Sequence, residues 1–158
     1  MVPDRLIRPD RIDIGRTHRM DSHGDYGESV VFALQKDGCI LCEQRKWGEE
    51  MLWSVPGGKV EQADRRSRPS RVAALNREMR EELALEPVAF RFIGDIWYGE
   101  NWVFHAFLVT EWKGRVPETN IETDYPLRWM PVEEIRDNSH MFGLGDLLRR
   151  SLLAIPAA

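Results

Sequence analysis

Apolar and polar positions along the chain fall into short strand-like runs broken by one long helical stretch. Ser29-Val30-Val31-Phe32-Ala33-Leu34 and Cys39-Ile40-Leu41-Cys42 flank Lys36-Asp37-Gly38, which predicts a hairpin from about Gly27 to Arg45 with a tight Asp-Gly turn. A loop is expected at Lys46–Glu50, then a short apolar strand at Met51–Val55 that Pro56-Gly57-Gly58 ends in a turn. Val72, Leu75, Met79 and Leu83 form one stripe at about 100° per residue, the core face of a helix that Ser70 is placed to cap. Pro87 stops that helix. Val88 to Trp112 reads as a second hairpin turning at Tyr98-Gly99-Glu100-Asn101, and Pro126–Met130 as a further strand. Pro131–Ile135 reads as a turn into a short helix, and Gly145–Ala154 as a last amphipathic helix. Strands that arrive as hairpins, with helices inserted between them, predict an α/β (α+β) sandwich on a central mixed sheet rather than a doubly wound parallel one.

With 158 residues the chain has room for one domain, with residues 1–25 as a polar, Arg-rich N-terminal arm. A net charge of −4 gives no reason to expect a nucleic-acid polymer as partner. No apolar run approaches the roughly 18 residues of a membrane helix. The polar start, Met1-Val2-Pro3-Asp4-Arg5, lacks a signal-peptide stretch and points to a cytoplasmic location. Cys39 and Cys42 form a C-x-x-C, a spacing found in zinc and redox sites. On a strand, residues three apart face opposite sides, so two separate, buried, reduced thiols are expected instead.

Beside the stripe of the predicted helix lie Glu78, Glu81 and Glu82, at i, i+3 and i+4. Their carboxyl groups are neighbours, and like charges at this spacing destabilise a helix by roughly 0.2–0.5 kcal/mol per pair. No basic residue of the helix is expected to neutralise them: Arg77 lies near Glu81 only, and Arg80 points away. A solvated acidic face would explain such a cluster. So would a divalent-cation site, since Mg²⁺ and Mn²⁺ take hard oxygen ligands and turn the repulsion into attraction. The upstream sequence favours the cation, because a Gly-Gly turn leaves a strand edge and Arg77-Glu78-Met79-Arg80-Glu81-Glu82 follows within one loop.

Together these segments resemble the Nudix hydrolase superfamily, whose box reads G-x5-E-x7-R-E-U-x-E-E-x-G-U, with U apolar. Gly58 matches the first glycine, Arg77 to Leu83 matches the helical half residue for residue, and Leu85 matches the closing apolar position. Leu52-Trp53-Ser54-Val55-Pro56-Gly57-Gly58-Lys59-Val60-Glu61 is similar to the strand and turn before the box in small members. Three positions depart from it. Asp64 replaces the loop Glu, twelve residues instead of seven separate it from Arg77, and Ala84 replaces the glycine near the helix end. A left-handed backbone there would cost Ala about 1 kcal/mol relative to Gly.

The resemblance implies a Nudix-like α/β/α sandwich, a Mg²⁺ or Mn²⁺ cofactor, and hydrolysis of a pyrophosphate bond in a nucleoside di- or triphosphate derivative. It makes Glu78 and Glu82 the main metal ligands and Glu81 a further ligand or the catalytic base. Gly57 and Gly58 would let backbone approach metal or phosphate, and Arg77 would orient a loop carboxylate, Asp64 or Glu61. Family members often add an acidic residue from a later loop, for which Glu122 is chosen; Glu118 and Asp124 are nearly as well placed, and an ordinary polar loop is the alternative. Arg45 is either a phosphate contact or a surface charge. The Arg65–Arg71 run is a solvated loop or one that reaches substrate phosphates.

The Leu52–Glu61 segment and the small size look like members acting on (deoxy)nucleoside triphosphates, giving a monophosphate and pyrophosphate. Nucleotide sugars, ADP-ribose, or a non-catalytic nucleotide-binding module are the alternatives. Trp97, with Tyr98 and Trp102, could stack on a base, although such cross-strand aromatics, like Trp47 and Trp53, often only pack. His23, His105 and His140 are dispersed and form no metal-ligand spacing, and His105 reads as a satisfied strand histidine. Oligomeric state, a homodimer included, stays open.

Overall fold

The computed structural model describes residues 27–47, 49–135 and 144–153. The expected N-terminal arm, His23 and His140 lie outside them. The first hairpin joins β1 (Gly27–Lys36) to β2 (Cys39–Trp47). Asp37 and Gly38 take positive φ, 51° and 74°, as a two-residue primed turn requires. β3 (Glu50–Ser54) pairs back along β2 as far as Trp47↔Glu50, so the loop expected at 46–50 is shorter than the sequence suggested. The second hairpin is β5 (Glu86–Tyr98) with β6 (Trp102–Lys113), and β7 (Leu127–Pro131) adds to β2.

β1 unites the two halves. It runs parallel to β6 from Gly27↔Trp102 to Leu34↔Val109, giving the order β3-β2-β1-β6-β5 in a mixed sheet. Its pleat also separates two cores. Val30, Phe32 and Leu34 pack with Leu75, Met79 and Leu83 of helix α1 (Ser70–Leu83). Ala33 packs on the other face with Ala106, Leu108 and Leu144 and Leu148 of helix α2 (Leu144–Leu153). One helix thus covers each face, the α/β/α arrangement expected from the interleaved pattern.

Three local expectations change. Gly57 and Gly58 belong to a short strand, β4 (Gly57–Lys59), paired with β1 at Val31↔Gly57 and Val30↔Gly58, rather than to a turn. Ser70 is the first helical residue and Pro69 the N-cap, without a side-chain cap; proline's fixed φ suits that entry and its missing N–H costs nothing there. Both cysteines are free thiols on opposite pleats, but only Cys42 is buried, in the α2-side core; Cys39, at the start of β2 beside the turn, is half-buried. Burial, aided by Glu43, pushes the Cys42 thiol up to about 12, which leaves it an inert thiol at neutral pH.

Helix α1 ends at Ala84 in the left-handed region (φ 55°, ψ 37°), where its N–H reaches back to the Arg80 carbonyl and that of Leu85 to Met79. An L side chain is strained there. Ala84→Gly should raise stability by about 1 kcal/mol, read as a higher urea midpoint with an unchanged slope.

Candidate active site

The site forms where β4 passes under α1. A Cβ at Gly57 would strike the Val30 carbonyl of β1, and one at Gly58 would fall within the Glu78 carboxylate. Neither glycine has a positive φ. Both are needed for clearance, so that strand, helix and carboxylate can close on one another.

Arg77 fills the gap between strand and helix, with its side chain 12% exposed. Its Nε and Nη2 donate to Asp64 at 3.1 and 2.9 Å, Nη2 also donates to the Lys59 carbonyl at 2.8 Å, and Nη1 donates to Glu78 at 2.9 Å and Glu81 at 3.0 Å. Glu61 lies 3.6 Å from Nη1. The expectation that no basic residue on the helix neutralises the acidic cluster is therefore wrong. The Cβ of Arg77 does point away from Glu78, but its long side chain folds back and puts the guanidinium between two of the three carboxylates. Asp64 is buried and is held on its other side by the Glu61 N–H at 2.8 Å. Burial opposes its charge, yet the hydrogen bonds from Arg77 and the Glu61 N–H and the guanidinium charge prevail and lower its pKa. Asp64 and Glu78 in turn raise Arg77 against the cost of burial.

The helix carboxylates divide into a front and a back. Oxygens of Glu78, Glu81 and Glu122 lie within 4.8 Å of one another, so the 119–126 loop brings its glutamate to the helix. Glu82 sits behind, 4% exposed. Asn120, fully buried, donates from Nδ2 to Glu82 at 2.6 Å and to Glu43 at 2.9 Å. Glu43 in turn accepts from Arg45, at 2.8 Å from Nε and also from Nη2. Burial raises Glu78, and burial followed by the charges of Glu43 and Glu78 pushes Glu82 up to about 10, the Asn120 hydrogen bond working against it. Hard oxygen donors crowded beyond what two guanidiniums offset suit a divalent cation.

Glu43 and Asn120 escaped the sequence reading. The strand period did place Glu43 and Arg45 on the same pleat as buried Leu41, a signal for inward charge. Arg45 is accordingly not a surface charge: it is 5% exposed and stacks over Tyr125 at 5.7 Å. Trp97 is 51% exposed on β5, while Tyr98 and Trp102 are buried beside the turn, with Trp102 Nε1 donating to Ser29 Oγ at 3.1 Å. His105 has Nδ1 2.6 Å from Asp95 and Nε2 2.9 Å from Glu28. In the Arg-rich insertion Arg65, Arg66 and Arg68 are exposed, and Arg71 lies over Phe92 at 4.2 Å.

A family described as NUDIX domain matches residues 27–150. The chain belongs to the Nudix family. It is 31% identical over 120 residues to an 8-oxo-dGTP diphosphatase of Buchnera aphidicola subsp. Schizaphis graminum, covering 71% of this chain and 86% of that one. The solution structure of the E. coli ORF135 protein superposes with a TM-score of 0.66 at 27% identity, covering 85% of this chain and 96% of that one. A MutT structure from a study of the Aliivibrio salmonicida and Vibrio cholerae proteins gives 0.62 at 18%, covering 78% and 98%. This Nudix chain is a pyrophosphohydrolase, on the strength of its domain and relatives. No described helix is long and apolar enough to cross a membrane.

The raised carboxylates set a pH dependence of stability. Folded Glu82 keeps its proton up to about 10, whereas unfolded it ionises near 4.5. Between those values the folded state binds more protons than the unfolded one, so stability falls as pH rises. The metal-free protein should lose thermal stability from about pH 5 towards pH 10, and Glu82→Gln should flatten that slope; parallel slopes for the two proteins would contradict the assignment.

Proposed function

We propose that this Nudix protein hydrolyses a pyrophosphate bond of a (deoxy)nucleoside triphosphate, giving a monophosphate and pyrophosphate, with Mg²⁺ or Mn²⁺ as cofactor. The carrying observation is the convergence of Glu78, Glu81 and Glu122 on one point, with buried Glu82 behind them. These four would hold the cation, which when bound neutralises phosphate oxygens and acidifies water. Glu81, 43% exposed, has the access to solvent that a general base needs. Arg77 binds Asp64, Lys59 and Glu78 at once, which fixes the carboxylates before substrate arrives. Gly57 and Gly58 let the β4 backbone close on β1 and on the Glu78 carboxylate, beside the place where the cation would bind. Trp97 is the candidate contact for the base, whereas Arg45, expected to meet a phosphate, is buried on Glu43 and supports the back of the site instead. The substrate class is supported by the diphosphatase relative, matched over 86% of its length, and two unpaired thiols suit a reducing, cytoplasmic setting.

The test is product analysis by phosphorus NMR with Mg²⁺, with Mn²⁺ and with chelator. The panel holds canonical and oxidised nucleoside triphosphates, a nucleotide sugar, ADP-ribose and a dinucleoside polyphosphate. Cation-dependent release of a monophosphate and pyrophosphate from a triphosphate is expected. Glu82→Gln should lower the rate by more than about 100-fold, beyond the 10- to 100-fold that loss of a supporting residue costs. Preferred cleavage of ADP-ribose or the sugar would move the substrate class. Nucleotide binding without turnover would make the chain a non-catalytic module.

A further inference from the structure

Among the described residues, one neutral side chain joins three segments that carry acids of the site: helix α1, strand β2 and the 119–126 loop. Asn120 is fully buried and uses its whole hydrogen-bonding capacity. Its two N–H groups go to Glu82 on α1 and Glu43 on β2. Its Oδ1 accepts the backbone N–H of Glu122 at 3.0 Å and of Thr123 at 3.2 Å. The main chain tightens the same joint, because the Ile121 N–H donates to the Glu82 carbonyl at 2.8 Å, and Asn120 itself exchanges backbone hydrogen bonds with Tyr125 and Asp124. A buried amide with all four positions satisfied fixes both the rotamer of the side chain and the groups it touches.

We propose that Asn120 is a positioning residue that couples the two halves of the cation site. It turns the Glu82 carboxylate towards Glu78, and it folds the loop so that Glu122 arrives within reach of Glu78 and Glu81. This rests on the proposed cation site and goes beyond it. Asn suits the position because Asp would add a third carboxylate between Glu43 and Glu82, and Ser is too short to reach them. Ser can nevertheless accept the Glu122 N–H in a hydroxyl-based turn, so Asn120→Ser cuts the amide contacts while sparing the loop.

The test is Mn²⁺ binding to the intact protein, followed by electron paramagnetic resonance without nucleotide, for wild type, Asn120→Ser and Asn120→Ala, each checked for folding by circular dichroism. Wild type should bind, and both variants should bind about 10-fold more weakly or worse. In steady-state assays kcat should fall with KM for the nucleotide nearly unchanged. In a Glu122→Gln background, Asn120→Ala should cost clearly less than in wild type, as coupled residues do. Folded Asn120→Ser with wild-type Mn²⁺ affinity overturns this inference alone. If Asn120→Ala does not fold, the Asn120→Ser result decides. Absence of Mn²⁺ binding by the wild type overturns the cation site, and this inference with it.

Discussion

The site depends on one buried guanidinium held among carboxylates. Arg77 satisfies Asp64, Glu78, Glu81 and a strand carbonyl from a single side chain, and its planar fork makes those contacts in fixed directions. Without that charge, Glu78 and Glu81 would face each other across a helix turn that burial makes expensive. With it, the helix carries an acidic cluster and still packs Leu75, Met79 and Leu83 on the sheet. The same side chain explains how the departures from the family pattern are absorbed. Asp64 is one carbon shorter than the usual Glu, but a single 3-10 turn at Asp64–Arg66 brings its backbone close, and the Glu61 N–H grips it from the other side. Once Asp64 is fixed, the inserted residues after it can lie at the surface, where Arg65 to Pro69 are exposed.

β1 sets the geometry on which this grip relies. Its parallel pairing with β6 orders the sheet, its antiparallel pairing with β4 places Gly58 under Glu78, and its alternating side chains seat α1. The pieces of the site lie far apart in sequence, but each touches β1 or its direct neighbours. The 119–126 loop does so through polar contacts, from Asn120 to Glu43 and from the Gln44 N–H to the Pro126 carbonyl. It hangs from β7 and is joined to the helix by Asn120 and Ile121, so its placement depends on polar contacts more than on core packing.

The elements that periodicity governs were legible in the sequence. Both hairpins, the stripe of α1, the last strand and the final helix lie close to where the pattern put them. Ala84 even shows the left-handed backbone that the missing glycine implied. What was not legible is non-local. Pro56-Gly57-Gly58 carries turn chemistry when read alone, and only Val30 and Glu78 reveal that the glycines serve clearance within a strand. Arg77 was misjudged because a wheel projection tracks Cβ directions and ignores the reach of a guanidinium. Glu43 and Asn120 stand 77 residues apart, and no local rule pairs an inward strand acid with a loop amide.

The buried acids also explain why such a site is poised for a cation and costly without one. Burial raises Glu78, and burial with the charges of Glu43 and Glu78 raises Glu82 to about 10, so near neutral pH Glu82 relieves the strain by holding its proton. Ligation needs the ionised form, so a cation competes with that proton, and under the proposed function affinity rises with pH while binding releases protons. Asn120 and Arg77 limit this cost in different ways. Arg77 brings positive charge to the front of the cluster, whereas Asn120 offers Glu82 and Glu43 hydrogen bonds without adding charge behind it. A guanidinium in place of that amide would pair with Glu82 directly and weaken the attraction of the site for a cation. A neutral amide there keeps the carboxylates oriented and leaves their charge for the ligand.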